Sequence, residues 1–300
     1  MTRSGTPPVA LTIAGSDSGG GAGIQADLAT FAALGVHGAT AITAVTVQDT
    51  TGVHQVHHVP VEVVLAQVHA VLTDLRPTAV KTGMLGESGI VRSLGALAAD
   101  GLLPQLVVDP VLVSTSGHRL AGRGVVASLR EHLLPHADVI TPNTNEAAVL
   151  LGCHPPASLE EQSAQARALL ELGCTAVVVT GGAFARSPGS HGGSNHVQRT
   201  DVVATARGVR VLAGHEIDTS NDHGTGCTFA SAIAGSLATG RPLDAAVQAA
   251  RSFVRQSLQR SASWQLGRGR GPVSHLGPRG RCERDEPDLH PRNTRTQQPT

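Results

Sequence analysis

Short apolar runs rich in Val and Ile alternate with helix-like segments through most of this chain, with predicted strands at 9–15, 37–47, 79–84, 106–111, 137–141 and 175–180. Apolar strands without regular polar alternation are typical of a parallel sheet that is buried on both faces. Parallel neighbours need crossover connections, so the intervening helices must cover those faces. The alternation therefore predicts an α/β fold: a doubly wound, mainly parallel sheet with helices on both faces.

Composition narrows the possible functions. Aromatic residues are 2% of the chain and Tyr is absent, so aliphatic side chains must fill the core. The net charge is zero and Lys81 is the only lysine, so we predict no nucleic-acid surface. No apolar run has the length of a membrane span, so no membrane contact is predicted. The cysteines, Cys153, Cys174, Cys227 and Cys282, lack zinc-type spacing and indicate reduced thiols in a cytoplasmic protein.

The last segment of the chain has a different composition. From Gly277 onward it is rich in Arg and Pro, and Leu289 is almost its only apolar residue. Such a segment buries too little apolar surface to offset the entropy of ordering. Asp and Glu interleave with its arginines, which argues against nucleic-acid binding. We predict one folded domain over 1–276 and a disordered tail over 277–300.

A glycine-rich segment, Gly224-Thr225-Gly226-Cys227, precedes a run of small helix-forming residues. If it opens a helix, its backbone N–H groups lack intrahelical partners and, with the helix dipole, form an anion site. The same dipole would favour the thiolate form of Cys227. An anion site beside an ionisable thiol suggests phosphoryl transfer onto a hydroxyl group. The alternative is a tight loop entering a core helix, with Cys227 as a small apolar filler.

An earlier glycine loop, at 15–23, is ambiguous. Gly21-Ala-Gly23-Ile-Gln-Ala26 formally matches the dinucleotide-binding pattern, and Asp49 lies near the position of a ribose-binding acid. However, the loop is longer than a Rossmann turn. Asp17 and Asp27 would also bring negative charge near a pyrophosphate, so the NAD interpretation is disfavoured.

Two further interpretations can be set aside. A P-loop NTPase needs a lysine directly after the loop glycine, and Lys81 has no such context. His54, His57 and His58 could suggest a metal cluster, but neither a carboxylate nor a cysteine accompanies them in the predicted strand. We interpret them as solvated strand histidines.

Seven motifs agree with one family in identity, order and spacing: AGSDSGGGAGIQADL (14–28), VQDT (47–50), KTGML (81–85), VDPV (108–111), ITPNTNE (140–146), TGG (180–182) and HGTGCT (223–228). Together they resemble the hydroxymethylpyrimidine/phosphomethylpyrimidine kinases of thiamine biosynthesis, over roughly Val9 to His275. The resemblance implies a ribokinase-like fold, ATP and Mg²⁺ as cofactors, and an aminopyrimidine alcohol and its monophosphate as substrates. A homodimer is a common assembly of this family.

The resemblance also implies a substrate site. The positions that match the family's pyrimidine contacts are Gly15, Asp27, Gln48, Met84 and Val111. A side-chain amide can both donate to and accept from an aminopyrimidine edge. The alternative for Met84 and Val111 is ordinary core packing.

By the same resemblance, Asp109 and Glu146 match the magnesium region, and Asn143, Thr180 and Gly181 match the ATP-phosphate region. Oxygen ligands of this kind suit Mg²⁺. Asn143 could instead simply cap the helix that follows it. Many family members have lysine at the positions of Thr115 and Thr180. Without those cations, Mg²⁺, the amides of Gly224–Cys227 or an arginine must stabilise the nucleotide phosphates.

The sequence thus predicts a kinase that phosphorylates the 5-hydroxymethyl group of 4-amino-5-hydroxymethyl-2-methylpyrimidine and then its monophosphate. Cys227 would take the hydroxyl proton or orient the nucleophile, while the amides at Gly224, Thr225 and Gly226 stabilise charge on the transferred group. One alternative is a pyridoxal or pyridoxine kinase on the same fold. Another is a non-catalytic pyrimidine-binding regulatory module, against which the Gly-Thr-Gly-Cys motif argues.

Overall fold

The computed structural model describes residues 5–114, 117, 120–184 and 198–276. Within them, a single sheet has the strand order β3-β2-β1-β4-β5-β6-β7-β8-β9. Its strands are β1 Val9–Asp17, β2 His37–Asp49, β3 Gly52–His58, β4 Ala79–Thr82, β5 Leu106–Val108, β6 Val139–Ile140, β7 Ala176–Phe184, β8 Gln198–Thr205 and β9 Gly208–His215. Strands β2, β1, β4, β5, β6 and β7 pair in parallel, whereas β3, β8 and β9 join through antiparallel pairs.

The helices are α1 Gly23–Ala33, α2 Val61–Asp74, α3 Ser88–Ala99, α4 Val125–Ser128, α5 Thr144–Leu151, α6 Leu159–Leu170, α7 Thr225–Ala238 and α8 Leu243–Ser261. Helix α4 continues into a π-helical turn at Leu129–Leu133 and a 3₁₀ turn at Leu134–His136. In the described part of the chain, no helix has the combination of length and apolar character that crossing a bilayer requires.

The core lies on both faces of the sheet because successive strand residues point to opposite sides. On one face, Val80 and Val108 pack in a cluster with apolar residues of α2, α3, α5 and α6. On the other, Ala79 and Val107 pack with α1, α7 and α8. Helix α7 is the most enclosed, since every residue from Thr228 to Ala238 is buried. The prediction of a doubly wound sheet covered on both faces is confirmed.

The strand order places a topological switch point beside β1. The chain runs from β1 outward to β2 on one side, and later returns to place β4 on the other side of β1. Loops leaving the carboxyl ends of such strands diverge, which opens a crevice where ligands commonly bind. The predicted tail at 277–300 and Thr115 lie outside the described residues, and the domain boundary at 276 stays a prediction.

Candidate active site

A cavity of about 600 Å³ lies at this switch point. Its walls come from the carboxyl ends of β1, β4, β5, β6 and β7 and from the amino end of α7. That volume is within the range that holds a cofactor or a small substrate. The structure therefore brings together both glycine loops and most of the predicted site residues, which are scattered along the sequence.

The first glycine loop is organised around the carboxylate of Asp17, which is 4% exposed. Its oxygens accept the backbone N–H groups of Gly19 at 2.8 Å, Gly21 at 3.0 Å and Ala22 at 2.8 Å. Burial alone would raise the pKa of Asp17, but the hydrogen bond from His223 and these amides lower it below its usual value. Because a protein carboxylate already occupies the loop amides, the loop offers no pyrophosphate site, and the disfavoured NAD interpretation is excluded.

The second glycine loop lies directly against the first. Gly224 has φ +84°, and a Cβ there would overlap the carbonyl oxygen of Gly21. Residues Gly224–Cys227 all line the cavity, and Gly224 is the N-cap of α7. The Thr225 N–H donates to Asp222 O at 3.3 Å, whereas the first-turn amides of Gly226 and Cys227 have no partner within the helix, so this buried helix presents an anion site to the cavity.

Cys227 does not have the thiolate character that the helix position alone suggested. Burial raises the pKa of its thiol to about 12, and the carboxylates of Asp109 and Asp27 add to this rise. Lys81 and the N–H of Gly23 lower it by less. The predicted thiolate is therefore wrong, because desolvation outweighs the helix dipole. At neutral pH the protonated thiol hydrogen-bonds to Asp109.

Asp27 also differs from its predicted role. Its carboxylate and the Lys81 ammonium are both 0% exposed, and Lys81 Nζ lies 2.9 Å from each carboxylate oxygen. Thr12 Oγ1 donates to the same carboxylate at 2.6 Å, and Ser231 Oγ donates as well. Asp27 is not part of the cavity wall. The prediction that Asp27 contacts the substrate directly is therefore wrong, because residues of β1, β4 and α7 already take its hydrogen bonds.

The other predicted substrate residues do line the cavity. They are Gly15, Gln48, Met84 and Val111. Gly15 is needed where β1 passes Met84, since a Cβ at Gly15 would lie 2.7 Å from Met84 Cε. Their arrangement provides an apolar wall beside one side-chain amide, which suits a flat heterocycle.

The predicted magnesium residues, Asp109 and Glu146, both line the cavity. Burial raises the pKa of Glu146 to about 8, with a further rise from the charge of Asp109. Burial also raises the pKa of Asp109 to about 6, although Lys81 opposes it. Asp109 Oδ2 and Thr141 Oγ1 are buried without a hydrogen-bond partner among the described residues. A bound cation would relieve both the repulsion and the missing contacts, so these oxygens fit Mg²⁺.

The protein does not enclose such a cation by itself. Among the described residues, no group of three or more His, Cys, Asp or Glu side chains has the geometry of a metal centre. Magnesium usually keeps several waters and binds through one or two carboxylates plus substrate phosphates. The site therefore fits an ion that is shared with a nucleotide.

Asn143 is the N-cap of α5. Its Oδ1 accepts the N–H groups of Asn145 at 2.9 Å and Glu146 at 3.0 Å, and Glu146 Oε2 accepts the Asn143 N–H at 2.9 Å. This capping box confirms the capping alternative and also fixes the Glu146 carboxylate. Asn143 lies on the cavity wall as well, so a phosphate contact stays compatible with its capping role.

Thr180 and Gly181 line the cavity where β7 reaches it. Thr180 N–H donates to Pro142 O at 2.9 Å, and the Gly181 N–H donates to Asp201 Oδ1 at 3.2 Å. Among the described residues that line the cavity, none is Lys or Arg. Arg199 comes near, within 3.5 Å of Gly181 O, but it forms an ion pair with Glu216. Amides and an incoming cation must therefore balance the phosphate charge at the described wall.

A family model described as phosphomethylpyrimidine kinase matches residues 17–274. The chain belongs to this kinase family. It is 46% identical over 271 residues to a hydroxymethylpyrimidine/phosphomethylpyrimidine kinase of Rhizobium meliloti, a match that covers 89% of this chain and 97% of the relative.

Two solved structures show how this family member compares in three dimensions. A Bacillus subtilis pyridoxal kinase, solved as an ADP complex, has a TM-score of 0.78 and 34% identity, covering 90% of this chain and 98% of the other. A phosphomethylpyrimidine kinase from Clostridium difficile 630 has a TM-score of 0.70 and 33% identity, covering 84% of this chain and 99% of the other. Both confirm the ribokinase-like fold. The identity to the curated pyrimidine kinase exceeds that to the solved pyridoxal kinase.

Sequence reasoning missed three features of this phosphomethylpyrimidine kinase family member. The first is Thr141, which lies in the motif at 140–146 and whose hydroxyl is buried at the cavity. The second is the contact between Asp17 and His223, which joins residues 206 positions apart. The third is a carboxylate beside the β3 histidines, since Asp49 Oδ1 of the neighbouring strand β2 lies 3.1 Å from His54 Nε2.

Proposed function

We propose that this chain uses ATP and Mg²⁺ to phosphorylate the 5-hydroxymethyl group of 4-amino-5-hydroxymethyl-2-methylpyrimidine, and then phosphorylates the monophosphate. One observation carries the proposal: the amides at the amino end of α7 and a heterocycle-sized wall share one cavity. The name of the Rhizobium relative, similar along 97% of its length, supports the pyrimidine as substrate.

The heterocycle would bind at the β1, β2 and β4 side of the cavity. Met84 and Val111 would contact the ring faces, and Gln48 would hydrogen-bond to a ring edge. Gly15 keeps Met84 close by leaving room for its methyl group. This placement turns the hydroxymethyl group toward the amides of Gly224–Cys227.

Phosphoryl transfer then depends on positioning and on stabilisation of charge. The amides at the amino end of α7 would hold the transferred group as its charge spreads. Asp109 and Glu146 would hold Mg²⁺, whose chemistry when bound is to neutralise charge on the phosphate oxygens. Thr180, Gly181 and Asn143 would contact the nucleotide phosphates at the β6 and β7 ends.

Cys227 would orient the attacking hydroxyl rather than remove its proton. A thiol whose pKa is raised to about 12 is protonated at neutral pH and is not a ready base. In a loose transition state the hydroxyl need not lose its proton early. A neutral thiol whose hydrogen goes to Asp109 can still accept the substrate hydroxyl hydrogen at its sulfur and so hold the attacking oxygen in line.

Pyridoxal kinase activity is the second candidate, because pyridoxal kinases are among the similar solved structures. Product analysis with ATP, Mg²⁺ and either the pyrimidine alcohol or pyridoxal separates the two. We expect the pyrimidine monophosphate and then the diphosphate. Faster turnover of pyridoxal than of the pyrimidine alcohol would overturn the proposal. So would the absence of ATP consumption with either compound.

Gln48→Leu tests the substrate placement. The variant leaves a buried acceptor of the pyrimidine unpaired, at a cost of about 1–3 kcal/mol, so KM for the pyrimidine should rise about 5- to 150-fold while KM for ATP stays nearly unchanged. An equal effect on both KM values would contradict the placement.

Homodimer formation stays a prediction that rests on the family. A cytoplasmic location stays a prediction that rests on the family and on the free thiols of Cys153, Cys174 and Cys227.

A further inference from the structure

His223 lies where both glycine loops, the end of β2 and the segment 271–273 meet. Its backbone N–H donates to Gly271 O at 3.0 Å, and its carbonyl accepts the Val273 N–H at 3.1 Å. A Cβ at Gly21 would overlap the imidazole ring, so ring and loop are in close contact. The ring is therefore held in place from several sides, and its side chain is 13% exposed.

Two polar groups lie near the same ring nitrogen. Asp17 Oδ2 is 3.1 Å from His223 Nε2, and the Gln48 amide end that faces the ring is 3.0 Å from Nε2. A ring nitrogen carries either one hydrogen or one lone pair, so it cannot donate to one neighbour and accept from the other. The partners of Asp17 decide between these possibilities.

Asp17 must be the acceptor. Its carboxylate takes three backbone N–H groups and its pKa is lowered, so it is ionised and has no hydrogen to give. If Nε2 carried a lone pair, that lone pair would face a negative oxygen at 3.1 Å. The hydrogen of His223 therefore lies on Nε2.

This assignment decides which way the Gln48 amide faces. A protonated Nε2 has no lone pair to accept an amide N–H, so the amide oxygen is the end that meets Nε2. The amide nitrogen then lies on the other side, 3.5 Å from Thr46 Oγ1. Thr46 gives its own hydrogen to Ser16 O at 2.9 Å, so its oxygen can accept from the amide. This orientation satisfies every partner, because oxygen and nitrogen of a side-chain amide are interchangeable by a half-turn.

We propose that Asp17 and His223 are positioning residues that set substrate specificity, by holding the Gln48 amide so that it offers an N–H donor to the heterocycle. One of the two amide hydrogens then faces Thr46, which leaves the second for another acceptor. Gln48 lies on the cavity wall, so that hydrogen is available to the substrate. The group it selects is an unprotonated ring nitrogen, of which a pyrimidine has two. The inference rests on the proposed pyrimidine-binding role of Gln48.

Gln48→Glu, compared with Gln48→Leu at pH 8, tests the donor directly. Glutamate can still accept from His223, but it places an oxygen where the donor was. We expect KM for the pyrimidine alcohol to rise at least about 5-fold in both variants, and at least as much with Glu as with Leu. A Glu variant close to wild type would mean that the amide accepts from the substrate, and would overturn the proposal. No effect of Leu would instead show that Gln48 does not contact the substrate.

His223→Phe tests the positioning step. It keeps a ring against Gly21 but removes the hydrogen bond to Gln48. We expect KM for the pyrimidine to rise about 5- to 20-fold, with KM for ATP and the melting temperature nearly unchanged. His57→Phe, on exposed β3, is the matched control and should match the wild type. Equal changes in both KM values would indicate a general distortion and overturn the specific role.

Nitrogen-15 spectra of the histidine rings test the tautomer without any turnover. At pH 8, Nε2 of His223, assigned from the signal lost in His223→Phe, should have the shift of a protonated ring nitrogen. An unprotonated Nε2 would overturn the proposal whether or not the chain phosphorylates the pyrimidine. A protonated Nε2 in a chain inactive on the pyrimidine would support the hydrogen-bond assignment and reject the proposed function alone.

Discussion

Replacing Lys81 by Met should destabilise the protein strongly. The Lys81 ammonium and the Asp27 carboxylate are both fully buried and lie 2.9 Å apart. Removing one partner leaves a buried charge without its counterion, which typically costs about 3–5 kcal/mol. Two hydroxyl donors, from Thr12 and Ser231, remain on the carboxylate. We therefore expect a loss near the lower end of that range.

The double variant Lys81→Met/Asp27→Asn should recover much of this loss. It removes both charges, and a neutral replacement of a buried ion pair is often close to neutral in stability. Urea unfolding of the wild type, both single variants and the double variant gives the coupling energy, and we expect about 2 kcal/mol or more. Urea is preferable to guanidinium because it does not screen charges, and a constant m-value confirms that the unfolded state is unchanged.

The pH dependence of the same cycle follows from Lys81. Its burial would lower the pKa, but the charges of Asp27 and Asp109, together with that of Cys227 once its thiol ionises, raise it above the ordinary 10.5. A group whose folded pKa is raised contributes its full stability below the unfolded pKa. The coupling energy should therefore be equal at pH 7 and pH 9, and should fall only in strong alkali.

Two results would refute this reasoning. One is a loss under about 1 kcal/mol in Lys81→Met, which would show that water or another group compensates for the missing charge. The other is a double variant no more stable than the single one. Kinetics give an independent check, since neither residue lines the cavity. The folded double variant should keep its KM for the pyrimidine within about 3-fold, whereas a direct Asp27 contact predicts a much larger rise.

Three further predictions concern the cavity and the tail. Cys227→Ser should keep most of the turnover, because a hydroxyl also orients the substrate. Cys227→Ala should lower turnover about 10-fold. If both variants fold and both lower turnover by about 10²–10⁴-fold, the thiol acts as the general base after all. The pKa of Glu146 is raised from 4.5 to about 8, so ionising it opposes folding as pH rises through that range. Mg²⁺ should therefore raise the melting temperature more at pH 8.5 than at pH 6, and the difference should shrink in Glu146→Gln to the part that comes from Asp109, whose pKa is raised to about 6. A chain ending at Leu276 should keep the melting temperature and turnover of the full chain; a clear drop in either would place the tail within the domain.

Local patterns determined the fold class. Apolar strands such as 106–108 could be predicted from the sequence, because a sheet covered by helices on both faces needs apolar side chains on both faces. The cap of α5 at Asn143 could be predicted because cap preferences act over a few residues. The two glycine loops stood out for the same reason, since close backbone approach excludes a Cβ.

Charge state and pairing were decided only by the tertiary structure. The sequence suggested an ionisable Cys227 from its helix position, but burial in the fold and the charges of Asp109 and Asp27, both distant in the chain, raise the pKa of the thiol. Asp27 matched a substrate contact, yet the fold places it 2.9 Å from the only lysine, 54 positions further along. Asp17 and His223 are 206 positions apart and meet only because two loops pack backbone to backbone. Backbone conformation follows from neighbours in sequence, whereas solvation and electrostatic partners follow from neighbours in space.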